Sequence, residues 1–255
     1  MDAVDVCALL AVALAAGWLD AVVGGGGLIQ IPGLMLLVPG APVATVLGTN
    51  KLVAITGTSS AALTYTRRVG LDRGVVLPAA LVGVPGSALG AMTASYVPER
   101  LFLPAVLVAL LGVAGWVTLS PAARGDVRTG AAPRSSTVVG CAAGAGIGFY
   151  SGILGSGTGV LLVVLFVAGL GSDFLRGSAM AKVVSVGTDL GALALFATYG
   201  HVLWEAGAAM AAANVTGGVL GARTALCRGA GFVRGTLLCV VAALVAKLSW
   251  DMWAA

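Results

Sequence analysis

Residues 20–33 read DAVVGGGGLIQIPG, with four consecutive glycines between two apolar runs. Glycine costs about 1 kcal/mol per residue inside a helix, and each backbone group left unpaired in lipid costs several kcal/mol more. An apolar segment keeps such a break only where protein or a water-filled cavity receives the freed backbone. Gly24–Gly27 are therefore predicted to interrupt a helix and to line a site. Close helix packing through small residues is the alternative interpretation.

The whole chain has the composition of a membrane protein. Its 255 residues are 59% hydrophobic and 9% charged, with a mean hydropathy of +1.04. Apolar stretches repeatedly reach the roughly 20 residues that cross a bilayer. The net charge of +4 lies mainly in arginines between these stretches, where it indicates membrane orientation rather than nucleic-acid binding. The four cysteines show no metal-ligand spacing, so no metal and no cofactor is expected. We expect an all-α polytopic protein whose surroundings are the lipid bilayer.

The chain divides into two similar halves. A polar linker at 121–136 separates residues 1–120 from residues 137–255. A shift of 131 residues aligns Lys51 with Lys182, and it aligns five glycines of the first half with glycines of the second. The predicted apolar stretches are 4–22, 28–38, 43–66, 74–96 and 101–120, followed by 137–154, 158–170, 174–198, 203–225 and 232–250. The two halves are therefore interpreted as repeats.

Loop charges predict that the repeats lie upside down relative to each other. Loop 67–73 carries three arginines, whereas its counterpart 199–205 carries none. The bias reverses in the next pair, because 97–100 has one arginine beside a glutamate and 226–234 has two arginines. The positive-inside rule then places 67–73, 121–136 and 226–234 in the cytoplasm and the N-terminus outside. Each inverted repeat is predicted to contain one broken-helix hairpin, which turns at its glycines, and three transmembrane helices.

Two lysines lie deep inside predicted transmembrane segments. Lys51 and Lys182 each lie eight residues after the start of an apolar stretch, which corresponds to about 12 Å along a helix. A charge at this depth is costly and by default marks a functional site, while snorkelling to the interface is the alternative. Backbone N–H groups at glycine turns and at the following helix starts favour the same ligand, an anion. The predicted neutral donors are Thr49, Asn50, Ser156 and Thr158.

Four motifs carry a resemblance to a known family. They are GWLDAVVGGGGLIQIPGL at 17–34, LGTNKLVA at 47–54, GFYSGILGSGTG at 148–159 and AMAKVV at 179–184. They resemble the TauE/SafE exporters of sulfite and organosulfur anions. The resemblance implies a secondary transporter that exports sulfite, sulfoacetate or another sulfonate across the bacterial cytoplasmic membrane. Carried over by position, the implied binding residues are Gly24, Gly25, Gly26, Gly27, Asn50, Lys51, Gly155, Ser156, Gly157, Thr158, Gly159 and Lys182.

The second half departs from the first in this pattern. Ala181 stands where the first half has Asn50, and GSGTG replaces GGGGL. Whether the two halves contribute equally to the site is therefore open. Two intramembrane carboxylates, Asp20 and Asp189, are candidates for coupling, either as proton carriers or as neutralising partners of the lysines.

Other functions remain as alternatives at the level of sequence. An anion channel or an importer of another small oxyanion fits the same residues. An intramembrane hydrolase would use Ser151 with His201, the single histidine. The predicted topology places these two residues on opposite sides, so no catalytic residue and no enzyme activity is expected. The sequence also leaves open whether the protein forms a homodimer.

Overall fold

The computed structural model describes residues 3–94, 135–155 and 157–254, and the regular elements in these ranges are all α-helices. The predicted stretch at 101–120, loop 97–100, nearly all of linker 121–136 and Ser156 lie outside the described residues. The helices are α1 (Ala3–Val23), α2 (Gly27–Leu37), α3 (Val43–Thr66), α4 (Arg73–Ala94), α5 (Ser135–Leu154), α6 (Thr158–Leu170), α7 (Phe174–Thr198) and α8 (Trp204–Ala254).

Both predicted helix breaks are present. α1 ends at Val23 before the first glycine segment, and α5 ends at Leu154 before the second. The helices that follow are short, 11 residues in α2 and 13 in α6. At 1.5 Å per residue they extend about 17–20 Å, which is less than the roughly 30 Å hydrocarbon core. Neither short helix crosses a bilayer by itself.

Five of the described helices are long and apolar enough to cross a membrane. They are α1, α4, α5, α7 and the first 40 residues of α8. α8 is interrupted at Gly229, whose φ of 77° and ψ of −174° are not helical. This interruption lies inside the predicted loop 226–234, so α8 consists of two helical segments. The chain is a multi-pass membrane protein.

The two halves pack against each other reciprocally. α4 lies along α5 and α7, and in the same way α8 lies along α1 and α3. Close backbone contacts repeat with the 131-residue shift: a side chain at Gly17 would collide with Asn214, and one at Gly148 would collide with Gly83. Reciprocal contacts of this kind are typical of two units related by a two-fold axis. The orientation of each half in a membrane stays a prediction.

α3 and α7 form the centre of the molecule. In the apolar 18-residue stretch of α7, 67% of the residues are buried, against 22% in the corresponding stretch of α8. The buried side of α3 carries threonines, an asparagine and a lysine among its apolar residues. The outer helices instead expose large apolar side chains, as expected for a surface in contact with lipid; examples are Leu36, Leu81 and Val138. The polar centre of the fold is thus shielded from lipid by the surrounding helices.

Candidate functional site

Lys51 is buried on α3 and bonds to the second half of the chain. Its side chain is 1% exposed. The Nζ atom donates to Asp189 Oδ1 on α7 at 2.8 Å and to Ser151 Oγ on α5 at 2.7 Å. A buried ammonium needs such a counter-charge, because desolvation of an unpaired ion costs several kcal/mol. These three residues are called the first triad.

Lys182 is buried on α7 and bonds to the first half. Its side chain is 0% exposed, and its Nζ donates to Asp20 Oδ2 on α1 at 2.9 Å. The same carboxylate oxygen accepts a hydrogen bond from Thr58 Oγ1 on α3 at 3.0 Å. Lys182, Asp20 and Thr58 are called the second triad. As in the first triad, a lysine is held by one carboxylate and one hydroxyl is bonded to the pair.

The two triads occupy equivalent positions in the two repeats. The 131-residue shift carries Lys51 onto Lys182, Ser151 onto Asp20, and Asp189 onto Thr58. The carboxylate and the hydroxyl have therefore exchanged places between the triads. Of the two roles considered for the carboxylates, pairing with the lysines is the one observed. A role in proton transfer stays a prediction.

The triads differ in their exposure. The Asp189 side chain is 9% exposed, whereas that of Asp20 is 21% exposed. Both lysines are almost completely buried, so the two triads differ in the exposure of the carboxylate and not of the lysine. The second triad is the one that solvent or a ligand reaches more easily in this structure.

The first glycine segment, Gly24–Gly27, forms a turn that only glycine allows at its first position. Gly24 has a φ of 87°, a left-handed conformation that L side chains rarely adopt. It also packs against the second segment: a Cβ at Gly159 would lie 2.5 Å from the Cα of Gly24. Gly24 thus combines a positive φ with a close backbone approach that leaves no room for a side chain. The two glycine segments are called the first tip (Gly24–Gly27) and the second tip (Gly155–Gly159), and they are in direct contact at Gly24 and Gly159.

Each tip adjoins one triad. A Cβ at Gly26 would lie 2.7 Å from the Cβ of Asp20 in the second triad. A Cβ at Gly155 would lie 4.0 Å from Lys51 Cε in the first. Gly25 differs, because a Cβ there would have its nearest neighbours at 3.6 Å, an ordinary contact. The structure therefore brings together the predicted tips and lysines, with the carboxylates among them.

Comparison with known proteins identifies the family. The family model described as "Sulfite exporter TauE/SafE" matches residues 9–248. The chain belongs to the TauE/SafE family. It is 35% identical over 247 residues to a "Probable membrane transporter protein ORF9" of Sinorhizobium sp., a match that covers 95% of this chain and 92% of the relative.

Two further relatives of this TauE/SafE chain carry similar names. A "Probable membrane transporter protein" of Haemophilus influenzae is 31% identical, with 97% of this chain and 96% of the relative covered. The "Probable membrane transporter protein YfcA" of Escherichia coli K12 is 33% identical, with 95% and 89% covered. No solved structure matches the chain. The family is one of membrane transporters, and the resemblance drawn from the motifs is confirmed.

The predicted neutral donors of this TauE/SafE protein have different roles. Thr49 Oγ1 donates to Thr45 O at 2.7 Å and accepts from Leu203 N at 2.9 Å, so its hydroxyl holds the α7–α8 loop. Its role as an anion donor stays a prediction. Asn50 is buried, and its Oδ1 has no hydrogen-bond partner among the residues that the structure describes. Thr158 is buried at the start of α6. Ser156 is outside the described residues, so its predicted role stays a prediction.

Sequence reasoning named the two carboxylates as possible partners of the lysines, but it missed the hydroxyl groups that complete the triads. Ser151 and Thr58 align with the two carboxylates under the 131-residue shift, and this was the available signal. A buried amide network was missed as well. Asn214 Nδ2 donates to Gln30 Oε1 at 3.2 Å, and Gln30 Nε2 donates to the Asn50 carbonyl at 3.4 Å. The network ties α8, α2 and α3 together beside the first triad.

The serine–histidine pair of the hydrolase alternative is not formed. Ser151 accepts from Lys51, while His201 Nδ1 lies 3.5 Å from Thr45 Oγ1. Within the part of the chain that the structure describes, no group of three or more His, Cys, Asp or Glu residues could hold a metal ion. The chemistry of this region is that of charged and polar groups buried in pairs.

Proposed function

We propose that this TauE/SafE protein is a secondary transporter that exports a small sulfur-containing anion, such as sulfite, sulfoacetate or another sulfonate, across the bacterial cytoplasmic membrane. The description of the family names sulfite export, and the relatives are named probable membrane transporters. The observation that carries the proposal is the pair of buried lysines. Each is neutralised by one carboxylate and lies near a glycine tip.

The proposed substrate competes with the carboxylates for the lysines. An anion that takes the place of Asp20 on Lys182, or of Asp189 on Lys51, keeps each ammonium paired and avoids the cost of an isolated buried charge. The displaced carboxylate has then lost its counter-charge, and a proton is the proposed replacement. Asp20 and Asp189 are in this way the proposed coupling groups. Backbone N–H groups at the starts of α2 and α6 add donors for the anion oxygens.

The remaining alternatives differ in energetics and in chemistry. An anion channel dissipates a gradient, whereas a secondary transporter builds one when it is coupled to a second flux. An importer differs from the proposed exporter in the direction of flux alone. An enzyme is disfavoured because the family is one of transporters and Ser151 is bonded to a lysine that a carboxylate neutralises. The inverted arrangement of the repeats, the external N-terminus and a homodimer belong to the proposal as well.

Charge-neutral variants of the ion pairs test the proposal in proteoliposomes. K51M/D189N and K182M/D20N each remove both charges of a pair, so no uncompensated buried ion is left to prevent folding. We expect both variants to insert and to take up radiolabelled sulfite at least about tenfold more slowly than the parent, with Thr66→Ala at the exposed end of α3 as control. Parental uptake by both double variants would contradict the central lysine site.

A further inference from the structure

One face of α7 carries three polar residues in register. Lys182, Ser185 and Asp189 follow each other at helical spacings of three and four residues, so they lie in one stripe. Lys182 belongs to the second triad and Asp189 to the first. Seven residues span about 10 Å along a helix, so Ser185 lies midway between the two ion pairs. On α3 the related position is Ala54, a small residue between Lys51 and Thr58.

The hydroxyl of Ser185 is unpaired within the described part of the chain. The residue is 5% exposed, and its Oγ makes no hydrogen bond among the described residues. Other buried hydroxyls on α7 are paired: Thr188 donates to the Ser185 carbonyl at 3.0 Å and Ser178 to the Val22 carbonyl at 3.1 Å. A serine in a helix ordinarily bonds back to a carbonyl one turn earlier. An unpaired buried hydroxyl is costly, and this cost indicates a missing partner.

The two lysines leave further donors unused on either side of Ser185. An ammonium group has three N–H donors. Lys51 uses two of them, for Asp189 and Ser151, and Lys182 uses one, for Asp20. Together with the Ser185 hydroxyl, these side chains therefore have four donors for which no acceptor is found among the described residues. A small oxyanion, which has several acceptor oxygens and no donor, is the chemical class that matches this surplus.

We propose that Ser185 contacts the transported anion, which occupies the level of α7 between the two ion pairs and bridges Lys51 and Lys182. This inference rests on the proposed transport of a sulfur oxyanion and adds the position of the anion within the site. The anion accepts a hydrogen bond from the serine hydroxyl and charge-assisted hydrogen bonds from the unused ammonium donors. The register-related position on α3 is the small residue Ala54.

Ser185→Ala tests the inference because it separates binding from packing. Sulfite and sulfoacetate are titrated into the purified full-length protein by calorimetry, and thermal stability is measured without anion. Loss of one hydrogen bond to a charged ligand should weaken binding about tenfold. Removal of an unpaired buried hydroxyl should leave the Tm without anion equal or raise it. Ser178→Ala is the matched control: it removes a paired hydroxyl, so we expect a lower Tm and nearly parental affinity.

The possible results distinguish this inference from the proposed function. If the parent binds the anion and Ser185→Ala binds it with the same affinity, the role of Ser185 is overturned while the proposed function stands. A variant that loses affinity and anion-free stability together indicates a packing role and also overturns it. A parent protein that binds neither probe overturns the proposed function and the inference with it.

Discussion

At the residue scale, the exchange of acid and hydroxyl between the triads explains why the second half does not look like a copy of the first. Position 20 holds an aspartate and its counterpart a serine, while position 58 holds a threonine and its counterpart an aspartate. Each lysine nevertheless bonds to one carboxylate. One hydroxyl completes each triad, by a hydrogen bond to the lysine in the first triad and to the carboxylate in the second. The constraint acts on the charge of the triad rather than on any single position.

Glycine positions within the first tip are not interchangeable. Gly24→Ala combines a φ of 87° with a collision against the backbone of Gly159, whereas Gly25→Ala has ordinary contact distances. We expect Gly24→Ala to bind sulfite at least about tenfold more weakly, because the two tips must move apart, and Gly25→Ala to bind within about twofold of the parent. Anion titration of both purified variants checks this. Equal affinities in the two variants would show that contact between the tips does not shape the site.

At the scale of elements, α3 and α7 exchange their partners across the molecule. Lys51 of α3 meets Asp189 of α7, while Lys182 of α7 and Thr58 of α3 share Asp20. The positions 51 and 58 therefore face 189 and 182 in reverse order, so the two helices run antiparallel. Each lysine and its carboxylate come from different repeats, which explains why neither repeat alone contains a neutral triad.

Moving the carboxylate within the second triad should be tolerated. D20S/T58D gives Lys182 a serine and an aspartate in the arrangement of the first triad. The single change Asp20→Ser leaves Lys182 without a carboxylate and should cost about 3–5 kcal/mol of stability. We expect the double variant to regain most of the lost Tm and of the sulfite transport in proteoliposomes. Thr58→Ser keeps the hydroxyl and is the control. A double variant that is less stable than Asp20→Ser and also less stable than Thr58→Asp would contradict the equivalence of the triads.

Helix boundaries were predictable from sequence, and the pairing of the helices was not. The predicted bounds of α3, α6 and α7 agree with the structure to the residue, because turns rich in glycine, proline or charge end each apolar run. The ion pairs join Lys51 to Asp189 over 138 residues of chain and Lys182 to Asp20 over 162. The 131-residue shift aligns equivalent positions of the two repeats, such as 51 and 182. The ion pairs join positions that are not equivalent, so the alignment could not reveal them.

At the scale of the whole molecule, the reciprocal packing of the two halves leads to a test of their orientation. If the repeats are inverted, the α3–α4 loop and the α7–α8 loop lie on opposite sides of the membrane. Gly70→Cys has open space, and Tyr199→Cys replaces an exposed residue. In a background without the four native cysteines, we expect an impermeant thiol reagent to label Tyr199→Cys in intact cells and Gly70→Cys only after lysis. Labelling of both in intact cells would contradict inversion.

The separation of Lys51 from its partners also bears on how the protein is made. Ser151 follows Lys51 by 100 residues and Asp189 by 138. At 5–20 residues per second, the nascent chain holds an unpaired lysine for roughly 7 to 28 s before its counter-ion is synthesised. α3 is also not among the five helices that are apolar enough to cross a membrane. We therefore expect stable integration of α3 to wait for α5 and α7, which carry the partners of Lys51.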